Sequence, residues 1–158
     1  MSTTLDPSTL SNFKRTSRWL AACGKLPSEG NLSVQIGCHI EEFSEFLSTL
    51  NIESATGVTS EAMQEVTGVL CALGHNIKRG YAVARIYDRE SALDALSDLD
   101  VTGNGVAYLA HFQKDRADER VLAANDDKLN ADGTAVILEG GKIGKRDGWV
   151  APDLSDLV

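Results

Sequence analysis

Apolar residues recur along most of this chain at steps of three and four, the period of an amphipathic helix. The clearest case is Gln35–Leu50, where Ile36, Ile40, Phe43, Leu47 and Leu50 form a seam. At about 100° per residue, Glu41, Glu42 and Glu45 then fall on the side away from it. An earlier helix opens at Asp6-Pro7, where Asp is a good N-cap and Pro is tolerated in the first turn. Leu10, Phe13, Trp19 and Leu20 give that helix an apolar side, and Gly24 and Pro27 end it. Residues 24–31 read as a loop, and Gly57 closes the connection after the second helix.

A third helix begins at Thr59-Ser60-Glu61 and runs to about Arg79, with Met63, Val66, Leu70, Leu73 and Ile77 as its seam and Gly80 as its stop. Residues 81–87 fit either a helical turn or a short extended piece. Asp88 caps a fourth helix with Leu93, Leu96 and Ala107 on its inner side. Thr102-Gly103-Asn104-Gly105 is poor helix material, each Gly costing about 1 kcal/mol relative to Ala. Either the helix bends there or something packs against its backbone. A shorter helix follows at Arg116–Ala124. Thr134–Leu138, a turn at Glu139-Gly140-Gly141-Lys142, and Ile143–Val150 then predict a small β-hairpin, with Pro152 ending regular structure. The expected fold is all-α: one domain over 1–158, four to five helices over about 7–124, and a hairpin and tail over about 132–158.

Composition narrows the picture. One domain of 158 residues can bury a core without disulfides or a structural metal. A hydrophobic fraction of 42% with 6% aromatics is low, and predicts a helical protein that completes its core as a homodimer or homotetramer. The net charge is −8 and no Lys/Arg run exceeds two, which argues against nucleic acid as partner. The three cysteines (Cys23, Cys38, Cys71) and the dispersed histidines (His39, His75, His111) form no disulfide framework or zinc pattern, and suit a reducing cytoplasm. No apolar run approaches 18 residues and no secretory leader is evident, so neither a membrane nor export is expected.

Two acidic groups carry the candidate chemistry. Glu41, Glu42 and Glu45 crowd one turn, and like charges at that spacing repel by a few tenths of a kcal/mol per pair. Either this is a plain solvated face, or a hard divalent cation, Mg²⁺ or Mn²⁺, neutralises it. Asp94 and Asp98 stack four apart on the next acidic helix, opposite Leu93 and Leu96. Two such helices lying antiparallel would face acids across a groove that calls for cations. Downstream, Asn125 and Lys128 sit one turn apart, and Lys142, Lys145 and Arg146 flank the Gly-rich turn. In an acidic chain such amines can grip a polyphosphate, although surface lysines are ordinarily plain solvated residues.

At these residues the chain resembles a known family. Glu41-Glu42-Phe43-Ser44-Glu45 matches the E-E-x-x-E signature of the all-α, MazG-like nucleoside triphosphate pyrophosphohydrolases, which are related to dimeric dUTPases and phosphoribosyl-ATP pyrophosphohydrolase. Asp94-Ala95-Leu96-Ser97-Asp98 is similar to the D-A-L-x-D version of the second acidic motif, E-x-x-D, in phage and bacterial members. Gly105, Asn125-x-x-Lys128, Asp132-Gly133 and Gly141-Lys142 resemble that subgroup too, and the likeness covers roughly residues 10–155. Two departures stand out. Ala95 occupies the place of the second motif's Glu, and the gap between the motifs is lengthened by the helix beginning near Ser60.

The resemblance implies a helical bundle in a bacterial cytoplasm and hydrolysis of a (deoxy)nucleoside triphosphate, a purine dNTP such as dGTP, to the monophosphate and pyrophosphate. It also implies Glu42, Glu45, Asp94 and Asp98 as ligands of Mg²⁺ or Mn²⁺, and Glu41 or Glu42 as acceptor of the water's proton. Asn125, Lys128, Lys142 and Lys145 would hold the distal phosphates. Trp19, Asn31 and Gln35 would meet the base, with a core position the competing role for Trp19. The alternatives are a helical nucleotide-binding or regulatory protein that has lost turnover, for which Ala95 is the argument, or a same-fold enzyme for dUTP or phosphoribosyl-ATP.

Overall fold

The computed structural model describes residues 10–51 and 60–158. Within them the protein is mostly helical: α1 (Asn12–Ala22), α2 (Glu29–Ser48), α3 (Ser60–Lys78), α4 (Arg89–Leu109) and α5 (Lys114–Asp126). The all-α expectation holds. Asp6-Pro7, Gly57 and Thr59 lie outside the described residues, and the N-cap of α1 is Ser11, whose Oγ accepts from the Lys14 N–H at 3.4 Å. Helix α2 starts six residues earlier than its apolar pattern indicates. Ser28 accepts the Asn31 N–H at 3.2 Å and so caps a first turn that reads, from its glycine and polar residues, as loop. Asp88 caps α4 as expected, accepting the N–H groups of Glu90 and Ser91 at 3.1 Å.

The chain divides into two compact units. One holds α2 and α3, spanning Pro27–Arg85 with Ile137–Lys142. Here the contact face differs from the expected seam. The buried line of α2 is Ser33, Gly37 and Ser44 with half-buried Glu41, about 100° round the helix from Ile36, Ile40, Phe43 and Leu47. The reason is close approach of two backbones. A Cβ on Gly37 would lie 2.8 Å from the Lys78 nitrogen and 2.9 Å from the Gly74 oxygen. One on Gly74 would lie 2.8 Å from the Gly37 oxygen. Contacts of Ser33 with Ala84, Gly37 with Gly74 and Lys78, and Glu41 with Gly74 and Lys78 run the helices antiparallel. Ser44 tolerates its burial because its Oγ donates to the Glu41 carbonyl at 2.7 Å. Consequently Phe43 and Phe46 of α2, Leu50 just beyond it, and Val66, Val69 and Leu73 of α3 remain exposed.

The second unit comprises Met1–Leu26, Ile86–Val136 and Ile143–Val158. Its α1 and α5 are joined by Arg15, which is 5% exposed and donates to both Glu119 carboxylate oxygens at 2.7 Å and to Asp126 at 3.3 Å. Leu157, in a short 3-10 turn at Ser155–Leu157, is the most buried apolar side chain described, and its carbonyl accepts the Gln113 N–H at the start of α5. On α4 only Ala107 of the three expected inner residues is buried, and Leu93 and Leu96 face solvent. The helix runs through Thr102–Gly105, and beyond the helix's own backbone and the chain neighbours no described atom lies within 4 Å of a Cβ built on Gly103 or Gly105.

The expected C-terminal hairpin is not formed: no strand is assigned among the described residues. Within the second unit, Leu129 and Ala135 form an isolated antiparallel bridge, and the Gly144 N–H reaches the Val136 carbonyl at 2.7 Å. Glu139–Gly141 is a 3-10 turn with Gly140 and Gly141 both at positive φ. Ile143–Val150 forms no strand, because Gly144 and the Asp147-Gly148 turn interrupt it and Trp149 Nε1 donates to the Ala124 carbonyl instead.

The Gly37–Gly74 contact generates a paired prediction. Gly37→Ala should destabilise by about 1–3 kcal/mol, since the clashing atoms are backbone. Gly103→Ala should stabilise by about 0.5–1 kcal/mol, a helix-interior glycine with open space around it. Urea unfolding followed by circular dichroism reads both; equal effects would contradict the packing.

Candidate functional site

The three glutamates of α2 have different surroundings. Glu41 points along the buried line and forms an ion pair with Lys78, whose side chain is 8% exposed against 16% for Glu41. Lys142 Nζ approaches the same carboxylate oxygen at 3.6 Å. Burial acts to raise the Glu41 carboxyl, but the Lys78 hydrogen bond and the charges of Lys142 and Lys78 outweigh it and hold the group below its ordinary value. Burial likewise acts to lower the Lys78 ammonium, and its bond to Glu41 among other contacts raises it above its ordinary value. Glu42 and Glu45 are exposed and make no ion pair among the described residues. They sit in the C-terminal half of a helix whose last turn holds no basic residue, so the negative end of the helix dipole adds to their repulsion. Two carboxylates one turn apart, unneutralised by protein, suit a hard divalent cation as oxygen donors.

Asp94 and Asp98 stand on α4, exposed and without an ion pair among the described residues. They belong to one compact unit and Glu42 and Glu45 to the other. Among the described residues no group of three or more His, Cys, Asp or Glu side chains is gathered closely enough to hold a metal ion.

The downstream residues separate into two places. Asn125 lies in the last turn of α5, and its Oδ1 accepts from Lys128 Nζ at 2.8 Å. Lys128 lies over the rings of Trp19 and Trp149, 5.6 and 5.5 Å from their centroids, and Lys145 lies 4.3 Å over Trp149. Trp19 is half-buried, with an Nε1 that has no hydrogen-bond partner among the described residues. Lys142 instead joins Glu41 and Lys78. Asn31 and Gln35 occupy the first turns of α2, half-buried and exposed respectively.

The residues missed in the sequence are Lys78 and Trp149. Lys78 follows Gly74 by one turn, on the contact face, but a lysine in the last turn of a helix reads as a solvated complement to the dipole. Trp149 sits in a stretch read as strand, which hid its contact with α5. No family model, curated protein or solved structure matches the chain.

A pH dependence follows from the Glu41–Lys78 pair. The folded Glu41 value is depressed, so its stabilisation is present above the unfolded value and lost as pH falls below about 4. The folded Lys78 value is raised, so its stabilisation is complete below the unfolded value and lost as pH climbs past about 10.5. Melting temperature measured from pH 3 to pH 11 should fall at both ends, and Lys78→Met should remove the alkaline loss attributable to this site.

Proposed function

We propose that this chain is a metal-dependent nucleoside triphosphate pyrophosphohydrolase, releasing the monophosphate and intact pyrophosphate. The observation that carries the reading is the pair Glu42 and Glu45, exposed and unneutralised while neighbouring Glu41 is occupied by two lysines. Glu42 and Glu45 would hold Mg²⁺ or Mn²⁺, which would supply charge neutralisation at phosphate oxygens and a water of lowered pKa when bound. Of the two carboxylates expected to accept the water's proton, Glu42 is the one outside the ion pair, and it takes that role. Glu41 positions the motif. Lys142, in the same unit as the acidic pair, would offset the charge of the phosphate chain. A purine deoxynucleotide is the preferred substrate in this reading, with Asn31 and Gln35, on the same helix as the acidic pair, as its base contacts.

The acting form in this reading is a homodimer or homotetramer. What supports it is the exposed face of Phe43, Phe46, Leu50, Val66, Val69 and Leu73, whose cover by a second copy would complete the apolar packing. Light scattering after gel filtration should give at least twice the chain mass of 16.9 kDa, and a monomer at micromolar concentration would contradict it.

The reaction is tested by incubating a panel of nucleotides with Mg²⁺ in ¹⁸O-water. Label should enter the monophosphate and not pyrophosphate, and Glu45→Gln should lower the rate at least about a hundredfold. Nucleoside diphosphate accumulating with labelled inorganic phosphate, or full activity in Glu45→Gln, would overturn the reading.

A further inference from the structure

Beside the Glu41–Lys78 pair lies a cavity of about 410 Å³ lined by His75, Lys78, Arg79, Leu138, Glu139 and Lys142. The Glu139–Gly141 turn builds its far wall by docking on the end of α3. A Cβ on Gly140 would stand 3.0 Å from the Lys78 carbonyl oxygen and 3.3 Å from Arg79 Cα, and the backbone there is at φ 81°. That docking brings Lys142 from a separate segment to the two cations that end α3. Three formal positive charges thereby meet Glu139 on the wall and Glu41 behind it, an excess of cation in a chain of net charge −8.

The acids do not consume that excess. Glu41 is already shared between Lys78 and Lys142. The Glu139 side chain is 93% exposed and meets Arg79 at 3.6 Å, a solvent-screened contact of small worth. Arg79 and Lys142 are nearly half exposed and can turn onto a ligand at little cost. The dipole of α3 accounts for His75 and Lys78 in its last turn, but not for Lys142.

We propose that this cavity is an anion site that takes a phosphoryl group. Arg79 offers a planar fork of donors to phosphate oxygens, and Lys142 and Lys78 supply point charges. The anion's source, the leaving end of a nucleotide, rests on the pyrophosphohydrolase reading; the binding itself does not. The test is calorimetric titration of the full chain with pyrophosphate, inorganic phosphate and a non-hydrolysable nucleoside triphosphate in metal-free buffer containing EDTA. The carboxylates of the proposed metal site cannot contribute there, so failure of this site and failure of the catalytic reading are separable. Saturable binding of pyrophosphate is expected, weakened about tenfold by Arg79→Gln and by Lys142→Gln and unchanged by Lys25→Gln. Triphosphate binding with the same losses identifies the nucleotide as a source; pyrophosphate binding alone identifies the free anion. Absence of saturable binding, or equal weakening by all three substitutions, would overturn the proposal.

Discussion

The α2–α3 pair depends on one constraint: two helix backbones that touch at Gly37 and Gly74 leave space beside them for a single buried ion pair, Glu41 with Lys78. Taking two charges out of water is costly unless their geometry and remaining hydrogen bonds compensate. Here Lys142, delivered by the Glu139–Gly141 turn, adds a third charge to the pair. The arrangement fixes register, since sliding either helix by one residue would put a side chain into the glycine contact and an unpaired charge into the interface.

That constraint reaches the candidate chemistry. Three glutamates within five residues would repel one another on an ordinary solvated face. Burying Glu41 against cations removes one charge from the cluster and leaves Glu42 and Glu45 on the solvent side, close enough to act together. A buried charge also joins helices in the other unit, where Arg15 ties α1 to α5 through Glu119 and Asp126. Both units also leave many large apolar side chains exposed, which ties the assembly reading to the same packing.

The sequence made the helices legible and their inner faces illegible. Caps at Asp88 and glycine stops at Gly24 and Gly80 are short-range signals that tertiary packing did not override. The seam of α2 misled because hydrophobic periodicity marks where apolar residues lie, and the contact was decided instead by where side chains are smallest. Ser33, Gly37 and Ser44 carry that information at steps of four and seven, but small residues are equally at home on a surface. The acidic motif was visible as a motif. Its division into a paired Glu41 and unpaired Glu42 and Glu45 was not, since Lys78 and Lys142 are distant in the chain from Glu41 and nothing in the sequence pairs them with it. The hairpin expectation likewise gave no weight to Gly144 and Gly148 as strand breakers.

The division of labour within the acidic motif is the central claim, and urea unfolding of Glu41→Gln beside Glu45→Gln at neutral pH tests it most directly. Glu41→Gln should lose about 3 kcal/mol, because it leaves Lys78 buried without its partner charge. Glu45→Gln should stay within about 0.5 kcal/mol of the parent, or gain slightly as repulsion is relieved. Equal losses in the two variants, or a stable Glu41→Gln, would contradict the account.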